Sequence, residues 1–110
     1  MALVPNREPH RYGGVQLADD GHVIGFVARG AAAAGSYHFI GAQIVQAAAF
    51  RDLADGEPIN SVGNVYEKLM AAQPGCIRGY LCEAAFWDIG TPEDLARTNA
   101  AFASVRSVRL

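Results

Sequence analysis

Apolar residues along this chain follow two patterns, one helical stripe and a set of short continuous runs. The stripe is Val62, Val65, Tyr66, Leu69 and Met70, at i, i+3, i+4, i+7 and i+8, which predicts a helix with one face in the core. A second helix is announced by its start. Thr91, Pro92 and Asp94 occupy the N-cap, first and third helical positions of a near capping box, with Asp94 where Glu or Gln is usual. Glu93 and Asp94 suit the positive end of the helix dipole, and Leu95, Phe102 and Val105 recur downstream at roughly helical spacing. "QAAAFRDLADG" reads as a shorter helix ended by Gly56.

The short runs predict strands. Ala2 to Val4, closed by Pro5, reads as a buried strand, which normally has parallel neighbours on both sides. No run precedes it, so the sheet edge beside Ala2 to Val4 is expected to be exposed and to promote self-association. Val15 to Leu17 and Val23 to Val27 flank "ADDGH", where Asp20-Gly21 signals a hairpin. "YHFIGAQIV" has the character of a central strand, interrupted by Gly41, and a glycine there costs stability unless a bulge or a ligand's close approach uses it. "CIRGYLC" follows a Pro74-Gly75 turn, and "AAFW" with Ile89 reads as a strand buried on both faces. "PNREPHRYGG" is a loop and "ARGAAAAGS" a surface connection. The order predicts a mixed, mainly parallel α/β sheet with the Pro92 helix packed on it.

With 110 residues, the chain is one domain. A composition of 51% hydrophobic and 18% charged residues, with net charge −2 and pI about 5.8, gives no basic excess for nucleic acid or an anionic membrane. No apolar run approaches the roughly 18 residues of a membrane span, and "MALVPNREPH" lacks the regions of a signal peptide, so a cytoplasmic location is expected. Cys76 and Cys82 match no zinc spacing, and on one strand they would lie about 20 Å apart, so reduced, buried thiols are expected. His10, His22 and His38 share no ligand spacing and read as loop or strand residues.

Asp88 stands between Trp87 and Ile89, at the carboxyl end of a predicted strand and just ahead of a helix. Ligands bind at that edge of α/β sheets, which makes Asp88 a candidate magnesium ligand. The alternative is that it only caps the turn at Gly90.

"YGGV", "GHVIGFV", "YHFIGAQIV" and "GYLCEAAFWDIGTPEDLARTN" stand in the order found in the sugar-phosphate nucleotidyltransferases. The chain resembles the C-terminal half of their catalytic domain over nearly its whole length, and is most similar to bacterial mannose-1-phosphate guanylyltransferases and the related heptose-phosphate and N-acetylmuramate-phosphate enzymes. The resemblance implies an α/β fold, the C-terminal half of a Rossmann-like mixed sheet with the N-terminal half absent. The implied reaction is attack of a sugar 1-phosphate on the α-phosphorus of a nucleoside triphosphate, releasing pyrophosphate with the help of Mg2+. Asp88 would be a magnesium ligand. Gly13 or Gly14 would bring backbone N–H groups to the sugar, and Gly41 would leave room for its ring; turn and bulge roles remain open for these glycines. Two departures are visible. The family's F-x-E-K-P segment reads "FVARG", with Ala28 at the acidic and Arg29 at the basic position, and no G-x-G-x-R pattern for cradling a triphosphate occurs in the 110 residues. An incomplete, inactive piece of an enzyme is therefore expected, with a non-catalytic small-molecule- or subunit-binding domain of the same fold as the alternative.

Overall fold

A computed structural model describes residues 1–103. It is a mixed α/β arrangement in which a five-stranded sheet carries the core. The strands are β1 (Ala2–Pro5), β2 (Gly14–Leu17), β3 (Val23–Val27), β4 (Tyr37–Phe39) and β5 (Tyr80–Leu81), in the spatial order β3-β2-β4-β1-β5.

The β2–β3 hairpin forms where the turn chemistry requires it. Gly21 takes a φ of 86° and donates to Ala18 O at 2.9 Å, and the register shifts between Gln16 and Leu17. β4 pairs antiparallel with both β2 and β1, and β1 pairs parallel with β5. The sheet is thus mixed as expected but mainly antiparallel, and β1 is an interior strand. Its two edges are occupied by β4 and β5, through bonds such as Ile40 N to Ala2 O at 3.2 Å and Cys82 N to Leu3 O at 2.8 Å. The end strands are β3 and β5. Even these approach one another, because Ile77 to Gly79 reach back to Gly21 to Val23 through Val23 N to Ile77 O and Gly79 N to Gly21 O, each 2.9 Å.

The core cluster is Leu3, Val15 and Val23, covered by half-buried Leu17, Phe26, Tyr37, Phe39, Met70 and Ile77. Met70 comes from the predicted stripe. Asn60 caps this element by accepting from the N–H groups of Val62 and Gly63, a π-helical stretch runs over Ser61–Tyr66, and α1 (Glu67–Ala72) continues it against β3. Val65 and Tyr66 are buried as the spacing requires.

Other expectations are corrected. In "YHFIGAQIV" the regular strand is only Tyr37–Phe39; Ile40 N and Ala42 O still bond Ala2, and Gly41 between them takes a φ of 85°. "QAAAFRDLADG" makes one 3-10 turn, Ala47–Phe50, with no buried residue. The strand in "CIRGYLC" is Tyr80–Leu81 alone, and "AAFW" is in no strand and is exposed. The physical reason is that β1 ends at Pro5, so beyond Cys82 the last strand has no partner. Cys76 is exposed and Cys82 half-buried, and both are free thiols.

Helix α2 (Pro92–Ala103) begins where its cap predicts. Thr91 Oγ1 accepts from Asp94 N at 3.1 Å and donates to Asp94 Oδ2 at 2.8 Å. Its apolar residues do not pack on the sheet as expected: Leu95 and Phe102 are about half exposed, and the buried side chain is Asp94. Val105, the third member of the expected stripe, lies outside the described residues.

Candidate functional site

The loop between β1 and β2 and the segment between β5 and α2 meet at a polar junction. Tyr12, next to the glycines that open β2, donates its hydroxyl to Asp88 Oδ2 at 3.2 Å across 76 residues of sequence. Arg11, its neighbour, hydrogen-bonds Asp94 Oδ2 through Nη2, and the same nitrogen lies 3.7 Å from Asp88 Oδ2. Arg97 Nη2 donates to the other oxygen of Asp94 at 2.8 Å. The Arg11 and Thr91 hydrogen bonds hold the Asp94 carboxyl below the usual carboxylate range, and Asp94 in turn raises the Arg11 pKa.

Beside this junction runs a groove of about 520 Å³, bounded by Val4 to Glu8 with Tyr12 on one side and by Cys82 to Trp87 on the other, with His38 also in its lining. Three rings meet there. His38 stands 4.4 Å from Tyr12 and 4.7 Å from Phe86 between ring centroids, and Phe86 meets Tyr12 edge-on at 5.9 Å. Phe86 thus leaves the predicted strand core to line a wall of the groove. Burial raises the Tyr12 pKa, aided by Asp88, and lowers that of His38, opposed by its hydrogen bond with the Gly13 backbone. A group whose folded pKa is depressed contributes stability in full above its unfolded pKa, here about 6.5, and loses it as the pH falls through the folded value. The melting temperature is therefore expected to fall from pH 7.5 toward pH 5 more steeply in the wild type than in His38→Gln; equal slopes in the two proteins would show that His38 is not held neutral.

Asp88 does what the turn alternative requires, accepting from Gly90 N through Oδ1 at 3.0 Å. Its Oδ2 has one hydroxyl partner, and the side chain is 34% exposed. Among the described residues, no three His, Cys, Asp or Glu side chains converge on a metal position. Magnesium takes one or two carboxylates and completes its shell with water and phosphate oxygens, so a single partly exposed carboxylate, already engaged by Tyr12 and Arg11, is the most the junction offers such an ion. It would not by itself make a zinc or calcium site.

The glycines divide. Gly13 is exposed beside Tyr12, and its carbonyl accepts from Asn6 Nδ2 at 3.4 Å. Gly14 is buried, and a Cβ there would stand 1.9 Å from Ser36 Oγ, so its missing side chain makes room for Ser36. Gly41 is exposed at a positive φ and lies outside the lining of the groove, because the chain turns away after β4. The structure brings Gly13, Gly14 and Asp88 to one region through Tyr12, and leaves Gly41 apart from it. Arg11, Tyr12 and His38 were not singled out by sequence reasoning. Tyr12 had a signal, its place beside Gly13 in "YGGV"; the Arg11–Asp94 pair, 83 residues apart, had none.

No protein-family model matches the chain, and neither a curated protein nor a solved structure matches it significantly. Among the described residues, no helix is long and apolar enough to cross a membrane.

Proposed function

We propose that this chain carries the sugar 1-phosphate side of a sugar-phosphate nucleotidyltransferase, built on one half of a Rossmann-like sheet. The observation that supports this reading is the Tyr12–Asp88 hydrogen bond, which joins the "YGGV" and "WDIGTP" blocks at the mouth of an aromatic groove. In the proposed reaction a phosphate oxygen of the sugar 1-phosphate attacks the α-phosphorus of a nucleoside triphosphate, and pyrophosphate leaves. Such a step depends on placing anions and offsetting their charge. Asp88 would anchor Mg2+, which supplies positive charge against the phosphates. Tyr12 fixes the Asp88 carboxylate, and the backbone at Gly13 and Gly14 lies next to the groove that would take the sugar; Gly41 would act, if at all, from outside that groove. The unpaired segment beyond β5 is the proposed surface for self-association.

A non-catalytic binding domain of the same fold is the second reading. It is favoured by the engagement of Asp88 with Gly90, Tyr12 and the nearby Arg11. Titration of the 110-residue protein with α-mannose 1-phosphate and Mg2+, followed by amide NMR, tests the proposal. Saturable shifts at Gly13, Gly14 and Gly90 are expected. No pyrophosphate should be released when a nucleoside triphosphate is added, since the chain has no G-x-G-x-R loop to hold it. Unmoved resonances with a panel of sugar 1-phosphates would refute the proposal, and binding that survives Asp88→Asn unchanged without magnesium would favour the second reading.

A further inference from the structure

The alternation of β4 decides where His38 goes. Tyr37 and Phe39 pack against the core cluster, so the residue between them faces the other side of the sheet, beside Val4 of β1, with which it is in register. Val4 and His38 both line the groove, and the imidazole sits between the rings of Tyr12 and Phe86. Because β4 is bonded to β1 on one side and β2 on the other, a rigid element carries this ring.

The hydrogen-bonding capacity of the ring is half used. Burial favours the neutral imidazole, which has one N–H and one lone pair, and its hydrogen bond is to the Gly13 backbone. Among the described residues, no side chain hydrogen-bonds the second nitrogen. The polar groups around it are spent: the Tyr12 hydroxyl is on Asp88, and Asn6 gives its amide to Tyr12 O and Gly13 O. Asn6 Oδ1 also lacks a partner but is sealed from solvent, so the imidazole is the acceptor that a bound molecule meets among these rings.

We propose that His38 is a specificity-determining residue of the groove: its second ring nitrogen accepts a hydrogen bond from one hydroxyl of the bound sugar, while Tyr12 and Phe86 hold the imidazole in place. This rests on the reading of the groove as a sugar 1-phosphate site. A neutral acceptor so placed rejects a sugar that lacks the hydroxyl, because the nitrogen is then left desolvated and unpaired. It also rejects a carboxylate at that position, which has no hydrogen to donate. A ring that merely filled the space between Tyr12 and Phe86 would make neither distinction.

The test is a calorimetric titration of the full 110-residue chain with the α-1-phosphates of mannose, glucose and galactose, then with the 2-, 3-, 4- and 6-deoxy analogues of whichever binds tightest. Magnesium is held at one concentration, so that it cancels from every comparison. The wild type is expected to bind one deoxy analogue about five- to tenfold more weakly than its parent, the effect of one neutral hydrogen bond. His38→Phe should bind the parent more weakly by the same factor and not distinguish it from that analogue; the amide shifts of Val15 and Val23 report whether the variant keeps its core. In the wild type, the nitrogen-15 signal of the lone-pair nitrogen of His38 should move upfield with the parent and stay in place with that analogue. Equal affinity of the wild type for the parent and every deoxy analogue overturns the proposal, as does a folded His38→Phe that still discriminates. If His38→Phe does not fold, the nitrogen-15 signal decides, and one that stays unmoved in the parent complex overturns the proposal. Failure of all three sugar phosphates to bind removes the reading of the groove itself, and the role of His38 with it.

Discussion

Asp88→Asn in an active enzyme containing this chain is expected to lower magnesium-dependent pyrophosphate release about 10²-fold or more, while the melting temperature stays close to that of the wild type. The side chain has two duties, and the substitution separates them. Its Oδ1 accepts from Gly90 N at 3.0 Å, which an asparagine carbonyl does as well, since Asn serves turns and caps about as readily as Asp. The Tyr12 hydroxyl at 3.2 Å can accept from an amide where it donated to a carboxylate, so that contact also survives. What is lost is the anion. A neutral carbonyl is a poor substitute for a carboxylate on a hard dication, and electrostatic stabilisation worth a few kcal/mol corresponds to roughly a hundredfold in rate at 1.36 kcal/mol per decade. Melting curves and pyrophosphate release, measured on the same preparation, separate the outcomes. Near-normal turnover would leave Asp88 only its turn-capping duty.

Leu3→Ala is expected to have the largest effect on stability, about 2–5 kcal/mol, as for other fully buried leucines. Leu3 has no exposed surface and lies on a strand paired on both edges, with β4 and with β5. A Cβ on Gly79 would stand 2.7 Å from Leu3 Cδ1 and 2.8 Å from Leu17 Cδ2, so these side chains already fill the space above that glycine. With Val15 and Val23 as its only fully buried partners in the cluster, the truncated core has little to collapse with. For a domain whose whole stability is on the order of 5–15 kcal/mol, such a loss is a large fraction. Urea denaturation measures it directly, and a change below about 1 kcal/mol would place the core elsewhere.

Features fixed by neighbouring residues were legible in the sequence. The Asp20-Gly21 hairpin, the Val62 to Met70 stripe and the cap at Thr91 each depend on chemistry within a few residues, and each forms. Strand pairing was less legible because it is a property of two distant segments. Nothing local to Ala2 to Val4 says that one edge takes β4 antiparallel and the other β5 parallel, and nothing in "AAFW" says that β1 stops one turn too early to pair with it. Composition misled for the same reason. Phe86 and Trp87 look like strand core, but Phe86 finds Tyr12 and His38 across the groove, and Trp87 meets Phe102 edge-on at 6.0 Å. At the junction, the turn contact of Asp88 with Gly90 was legible from their spacing. Its neighbours Tyr12 and Arg11 were not, since contacts across 76 and 83 residues leave no periodicity to read.

The interior place of β1 sets an order of events on the ribosome. Its parallel partner is separated from it by nearly 80 residues, as in the bond from Cys82 N to Leu3 O at 2.8 Å. β1 therefore cannot receive its second neighbour until the intervening residues and β5 have been synthesised. At roughly 5–20 residues per second, that interval lasts seconds, much longer than a hairpin needs to close. The β2–β3 hairpin can form meanwhile, and β4 can dock on it and on β1. The edge of β1 that awaits β5, with Leu3 on the strand, stays uncovered throughout. High contact order of this kind slows folding and prolongs exposure of a sticky edge. Aggregation during synthesis should accordingly depend on how fast the segment from Asp52 to Leu81 is translated, and codon changes confined to that stretch would alter yield without altering the folded protein.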